Sequence, residues 1–138
     1  MIVYVDTSVV LRVLLRQPGR LAEWGEWKSA YSSELLGVEA RRVIDRLRLE
    51  SALDDEGVAQ AQESLSLIEG SIGTIRLSRT VLHRASLPMG TVVKTLDSIH
   101  LASALLFGER RGPMPTIATH DHQQAIAARA LGFSVIGD

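Results

Sequence analysis

Asp6, Glu39, Asp97 and Asp121 are spread across a chain of 138 residues, each where a carboxylate adds little to a core and could add much to a metal site. Asp6 follows the apolar run Ile2-Val3-Tyr4-Val5 and precedes Thr7-Ser8, Asp97 lies in Thr95-Leu96-Asp97-Ser98, and Asp121 follows Thr119-His120. Glu39 instead interrupts the apolar stripe of a long helical pattern. If the fold gathers them they form an acidic pocket, and like charges at close range stay ionised only when a cation or a proton compensates them. Oxygen ligands in a chain with no cysteine suit hard divalent cations, Mg2+ or Mn2+, rather than zinc.

Each acid taken alone also has a structural use. Asp6 is a good helix N-cap, Asp121 with Gln124 three residues later fits a capping box, and Asp97 at a helix start is favoured by the helix dipole. Glu39 is harder to place, because Leu36, Val43 and Leu47 share its helix face. A carboxylate on that stripe needs a partner, either an arginine such as Arg42 or a metal reached from a flanking helix. One shared cause explains the four acids more economically than four coincidences. Among the histidines, His100 follows Asp97 by three residues and His120 and His122 flank Asp121, yet no complete ligand set with a workable geometry emerges. All four, including His83, read as surface or packing residues.

The elements that would position these groups alternate between strand and helix. Ile2 to Val5 reads as a buried strand turning directly into a helix from Ser8 to Arg16, and Pro18-Gly19 breaks the chain. A short helix is expected around Leu21 to Lys28, with Trp24 and Trp27 at i,i+3, then a brief strand at Ala30 to Ser32. Ser33 is expected to cap a long helix to about Ala52, and Asp54 or Asp55 to start another through Glu69. Ile72 to Leu77 is a strand candidate despite Gly73, and Arg79 to Leu87 a helix. A further helix from Thr95 to about Phe107 is expected to close at Gly108. Thr116 to Thr119 and Phe133 to Ile136 frame a helix from Asp121 to Leu131, with Gly132 as its C′ residue. This alternation predicts an α/β fold, a three-layer α/β/α sandwich on a mostly parallel sheet. Ligands of such sheets bind at the carboxyl ends of the strands, where Asp6, Thr119 and Asp121 fall.

Composition narrows the function classes. A chain of this length is expected to form a single domain, residues 1–138, with no internal repeat or linker. The absence of cysteine excludes disulfides, thiolate zinc sites and cysteine nucleophiles. No apolar run approaches the roughly 20 residues needed to span a bilayer, and no basic leader precedes Ile2, so a cytoplasmic location is expected. A net charge of −1 does not select a partner. Arg12 and Arg16, and Arg41, Arg42, Arg46 and Arg48, are the candidates for holding a nucleic-acid backbone.

Four segments in order, Val5-Asp6-Thr7-Ser8, Ser33 to Glu39, Lys94 to Leu105 with its Leu-Asp-Ser-Ile-His-Leu-Ala core, and Thr119-His120-Asp121 followed by Ala127 to Phe133, together resemble a PIN-domain nuclease. More narrowly, length and the third segment resemble VapC toxins of toxin–antitoxin pairs. The resemblance implies that Asp6, Glu39, Asp97 and Asp121 form the family's acidic metal-binding quartet. It also implies that Ser8 and Thr119 orient a carboxylate, a water or a phosphate, and Lys94 departs from the arginine common in relatives. The implied activity is endoribonuclease action: metal-activated water attacks an RNA phosphodiester in line, leaving a 5′-phosphate and a 3′-hydroxyl. The implied partners are RNA, a cognate VapB-like antitoxin seated on the early helices, where Trp24 and Trp27 could contribute, and a second copy of the chain. Two other classes fit part of the pattern, a Mg2+-dependent receiver-like phosphotransfer domain and a non-catalytic binding module whose acids are caps and ion-pair partners.

Overall fold

Alternation along the first strand sets the layers of the fold. In the computed structural model, which describes residues 1–138, β1 (Ile2–Val5) lies at the centre of a five-stranded sheet. Successive strand side chains point to opposite faces. Val3 and Val5 therefore join one apolar cluster with Val9, Val10, Ile44 and Leu65, while Tyr4 joins a second with Leu101, Ile117, Ala127 and Ala128. Helices α1 (Thr7–Leu14), α2 (Leu35–Leu49) and α3 (Asp55–Ser71) cover the first face. On the second lie α4 (Arg79–Ala85), α5 (Thr95–Arg111) and α6 (His122–Ala130).

The remaining strands are β2 (Ser29–Ser33), β3 (Gly73–Ile75), β4 (Thr116–Ala118) and β5 (Val135–Ile136). Their order is β3-β2-β1-β4-β5 and every pairing is parallel. The chain leaves β1 toward β2 on one side and reaches β4 on the other, so β1 and β4 flank the crevice where such sheets bind ligands. Val5 pairs with Ala118 in register, which brings Asp6 and Thr119, the next residues of each strand, to the same edge. No helix is long and apolar enough to cross a membrane.

Three local expectations need correction. The segment around Leu21 to Lys28 forms turns rather than a helix. Trp24 and Trp27 meet there edge to face with centroids 5.2 Å apart, half-buried against the first cluster; contact between the two indoles and the core replaces helical periodicity. The helix expected to close at Gly108 continues to Arg111, and its C-cap is Gly112, at φ 112°. Gly108 lets Met114 lie close against the helix, since a Cβ there would displace the Met114 side chain and press on its backbone. Finally, the last strand is limited to Val135 and Ile136. Gly73, an unpromising strand residue, is explained by its neighbour, since a Cβ there would overlap the Tyr31 ring opposite it in register.

Leu65 is wholly buried on α3, whereas Leu67 is 76% exposed. Truncation of Leu65 to alanine is expected to cost about 2–5 kcal/mol by leaving a cavity, and Leu67→Ala less than about 0.5 kcal/mol. Urea denaturation of the two variants checks this; equal midpoints would contradict the assignment of α3 to the core.

Candidate active site

The site grows from the point where β1 ends. Asp6 is the N-cap of α1 in an extended conformation and is 4% exposed. Its Oδ2 accepts hydrogen bonds from the Ser8 backbone N–H (3.2 Å), the Ser8 hydroxyl (2.5 Å) and the Thr119 hydroxyl (3.0 Å). Each hydroxyl is aimed by a backbone donor from the β4–α6 turn: His120 N donates to Ser8 Oγ at 3.0 Å, and Asp121 N to Thr119 Oγ1 at 3.0 Å. With its amide nitrogen turned toward the carboxylate, the orientation that satisfies both ends of the group, Gln124 donates to Asp6 Oδ1 and Oδ2 at 3.0 and 3.1 Å. Asp6 is thus both a cap and the most heavily hydrogen-bonded carboxylate of the site.

Asp121 caps α6, its Oδ1 accepting from Gln124 N at 3.1 Å. The capping box anticipated there is only half made. Gln124 is buried and sends its amide to Asp6, while the Asp121 N–H that it would have taken is held by Thr119.

Glu39 arrives from α2, as its place on the apolar stripe requires. Arg42 is not its partner, because that guanidinium pairs with Asp45 at 3.2 Å. Instead Glu39 Oε1 accepts from Thr7 Oγ1 at 2.9 Å and lies 2.5 Å from His100 Nε2. His100, only 1% exposed, is also 2.7 Å from the Tyr4 hydroxyl through Nδ1, and its Nε2 is 3.9 Å from Asp6 Oδ1. The reading of His100 as a mere surface or packing residue is therefore overturned. It is a buried ion-pair partner of the acid pocket, signalled in sequence by standing one helical turn after Asp97. The other three histidines have no comparable role: His83 and His122 are exposed, and His120 bonds the Gly137 carbonyl.

Charge in this pocket is unevenly compensated. Burial pushes Glu39 toward its protonated form, but hydrogen bonds and charge from His100 together with Thr7 outweigh it and hold the carboxyl below the usual range. Burial pulls His100 down, yet bonding to Glu39 and the charges of Asp6, Glu39 and Asp97 raise it overall. The ion pair is fully formed between about pH 4.5 and 6.5, the ordinary values of the two groups. It is lost below as Glu39 takes up a proton and above as His100 gives one up. Tyr4 is driven upward by burial and by Asp6, so its phenol keeps its proton. Asp97, half-buried in the first turn of α5, has no side-chain hydrogen bond that compensates it. Burial, then the charges of Asp6 and Asp121, push it up to about 6.

These shifts show that the fold brings all four predicted acids within electrostatic reach. Ser8 and Thr119 are brought there too. Lys94, at the N-cap of α5, is exposed and makes no side-chain cap. No three of the carboxylates and imidazoles are grouped tightly enough to hold an ion between them as they stand. The arginines of α2 expected to meet nucleic acid are largely spent on internal acids: Arg41 on Glu69, Arg42 and Arg48 on Asp45, and Arg46 on Glu50.

Known proteins supply an independent comparison. A family model described as PIN domain matches residues 3–130. Ribonuclease VapC45 of Mycobacterium tuberculosis (strain CDC 1551 / Oshkosh) is 27% identical, covering 97% of this chain and 94% of its own. Ribonuclease VapC46 of Mycobacterium tuberculosis (strain ATCC 25618 / H37Rv) is also 27% identical, covering 97% and 95%. Among solved structures, FitAcB from Neisseria gonorrhoeae superposes with a TM-score of 0.68 at 20% identity over 97% of this chain and 96% of the other. VapBC2 from Rickettsia felis, bound to a DNA fragment from its promoter, gives 0.67 at 11% identity over 98% and 97%. At these identities the structures establish a shared fold.

The raised Asp97 makes a stability prediction with a definite sign. A carboxyl that binds its proton more tightly when folded weakens the fold as pH rises from 3.8 through about 6. Asp97→Asn removes that penalty. In chelator-treated protein it is expected to raise stability at pH 7.5 by on the order of 1 kcal/mol, after allowing for solvent screening of this half-exposed group, and to have no effect at pH 3.8. Melting curves at the two pH values test this, and a loss of stability at pH 7.5 would refute it.

Proposed function

The chain belongs to the PIN domain family, and from that premise we propose that it is a divalent-metal-dependent endoribonuclease, the toxin of a VapC-type toxin–antitoxin pair. Residues 1–138 act as one nuclease domain in the cytoplasm. The observation that supports the reading is electrostatic: Asp97 is pushed up by its burial and then by the charges of Asp6, Asp121 and Glu39, with Asp6 following β1 and Asp121 following β4 at the same sheet edge. The 27% identity to proteins named ribonucleases along almost the full chain supports the substrate class.

The donor set fits a hard cation. All four groups are carboxylates, no thiolate competes, and the unrelieved negative charge at Asp97 is what a divalent ion would remove. Asp6, Glu39, Asp97 and Asp121 would hold Mg2+ or Mn2+, which when bound supplies an acidified water and neutralises charge on the scissile phosphate. The protein's own contributions follow from the geometry. Ser8, Thr119 and Gln124 fix the Asp6 carboxylate in one orientation. His100 and Thr7 hold Glu39 anionic through Oε1, leaving Oε2 without a protein partner. Asp97, pushed up by burial and by its neighbours' charges, is the carboxyl with most to gain from a cation. In isolation the pocket would repel RNA phosphates, so substrate entry and cation binding are coupled.

The phosphotransfer alternative needs a nucleophilic carboxylate, whereas Asp6 is buried beneath four donors. A cognate VapB-like antitoxin is proposed to inhibit the enzyme, with the half-buried Trp24 and Trp27 on the rim of its groove. The active form is proposed to be a homodimer that joins the antitoxin in a hetero-oligomer.

Purified protein incubated with total RNA and Mg2+ or Mn2+ is expected to leave 5′-phosphate ends, with activity abolished by chelator. Asp6→Asn should reduce cleavage at least about 100-fold, the scale on which removing one electrostatic partner acts in active sites. Equal cleavage by the variant would defeat the assignment. Mn2+ should also raise the melting temperature of the native chain and not that of Asp6→Asn.

A further inference from the structure

A second site stands apart from the acids. Between β3, the start of α4 and the last turns of α5 lies a cleft of about 410 Å3 lined by Ile75, Arg76, Ser78, Leu106, Phe107, Arg110 and Arg111, among others. Arg76, Arg110 and Arg111 make no ion pair, unlike the arginines of α2. Their charge is therefore available at a wall that is otherwise half apolar. Phe107 is held by the Tyr31 ring at 4.3 Å, and the Arg111 guanidinium lies 5.4 Å from its centroid. The glycine at position 73 leaves the space that Tyr31 occupies.

We propose that this cleft binds one nucleotide of a single-stranded RNA, the base against the Phe107–Arg111 shelf and the phosphate on Arg76 and Arg110. Guanidinium forks match phosphate oxygens in geometry and charge. Aromatic rings and arginine planes together are the surfaces on which unpaired bases stack. An acidic peptide would use the arginines and leave the planar shelf without a purpose. From Asp97 to Arg110, α5 rises about 20 Å at 1.5 Å per residue, so the cleft would grip RNA well away from the bond being cut. Its assignment as an RNA site rests on the ribonuclease reading, while binding itself can be measured without catalysis.

The test uses full-length Asp6→Asn protein in chelator, with a fluorescent oligoadenylate read by anisotropy and unlabelled AMP, adenosine, inorganic phosphate and a glutamate-rich peptide as competitors. Arg76→Ala/Arg110→Ala should raise Kd at least tenfold and Phe107→Leu severalfold. Arg20→Ala/Arg129→Ala, which removes the same charge elsewhere, should stay within twofold. AMP should compete better than adenosine or phosphate alone. An unchanged Kd in the double variant, or competition by the peptide and not by AMP, would overturn the proposal. Failure of the ribonuclease reading would look different, with no RNA cleaved by the native chain whatever the cleft binds.

Discussion

Carboxylates within electrostatic reach of one another repel, as the charges of Asp6, Asp121 and Glu39 acting on Asp97 show, and much of the polar architecture around them can be understood as a graded answer to that repulsion. Asp6, deepest in the crevice, receives the most donors: a backbone N–H, two hydroxyls and a buried amide. Glu39 receives a hydroxyl and an imidazole whose own proton affinity is raised by the same acids. Asp97 receives no such donor and answers by binding a proton more tightly. Compensation by fixed dipoles costs nothing at the moment of reaction, but it is incomplete, and the remainder is a demand for positive charge that a proton or a divalent ion can meet.

The donors themselves are arranged economically. Ser8 sits two residues beyond the cap and Thr119 one residue beyond the strand end, and each hydroxyl lies between an N–H of the β4–α6 turn and Asp6. Those two N–H groups belong to a half-buried turn that would otherwise leave them without a protein acceptor. Satisfying the turn and orienting the carboxylate are one set of bonds. The link also fastens β1 to β4 across the crevice, where the parallel ladder itself ends at Val5 and Ala118. A distortion of the turn would therefore be felt at Asp6 before it was felt in the core.

Much of this was legible in the residues. Apolar runs ending in Asp-Thr-Ser and Thr-His-Asp placed two acids at strand ends, and the misfit of Glu39 on its stripe pointed to a polar partner in the interior. What periodicity could not supply was the identity of that partner. Arg42 is near in sequence, but α2 turns it toward Asp45, while His100 reaches Glu39 only because α1, α2 and α5 converge around β1 from both faces of the sheet. Gln124 was misread for a related reason. Its spacing from Asp121 fits a local capping box, and a long-range contact with Asp6 won because a buried carboxylate is the stronger acceptor. The Trp24–Trp27 segment departs from helix because contact between two indoles and the core outweighs a weak local propensity.

Charge of the opposite sign follows a different logic along α5. Asp97 occupies the first turn of that helix, while Arg110 and Arg111 occupy the last. Each end thus complements the helix dipole, which favours anions at the N-terminus and cations at the C-terminus by about 0.3–1 kcal/mol apiece. Placing an acidic pocket at one end and an unpaired basic cleft at the other therefore costs the helix little, whereas the reverse arrangement would fray both ends. On α2, by contrast, Arg41, Arg42, Arg46 and Arg48 are drawn into pairs with acids of α2 and α3, and exposed pairs of that kind neutralise charge more than they stabilise. A chain whose net charge is −1 can still present a field that draws a polyanion, provided its free arginines are segregated from its acids. Here the length of a single helix provides that segregation.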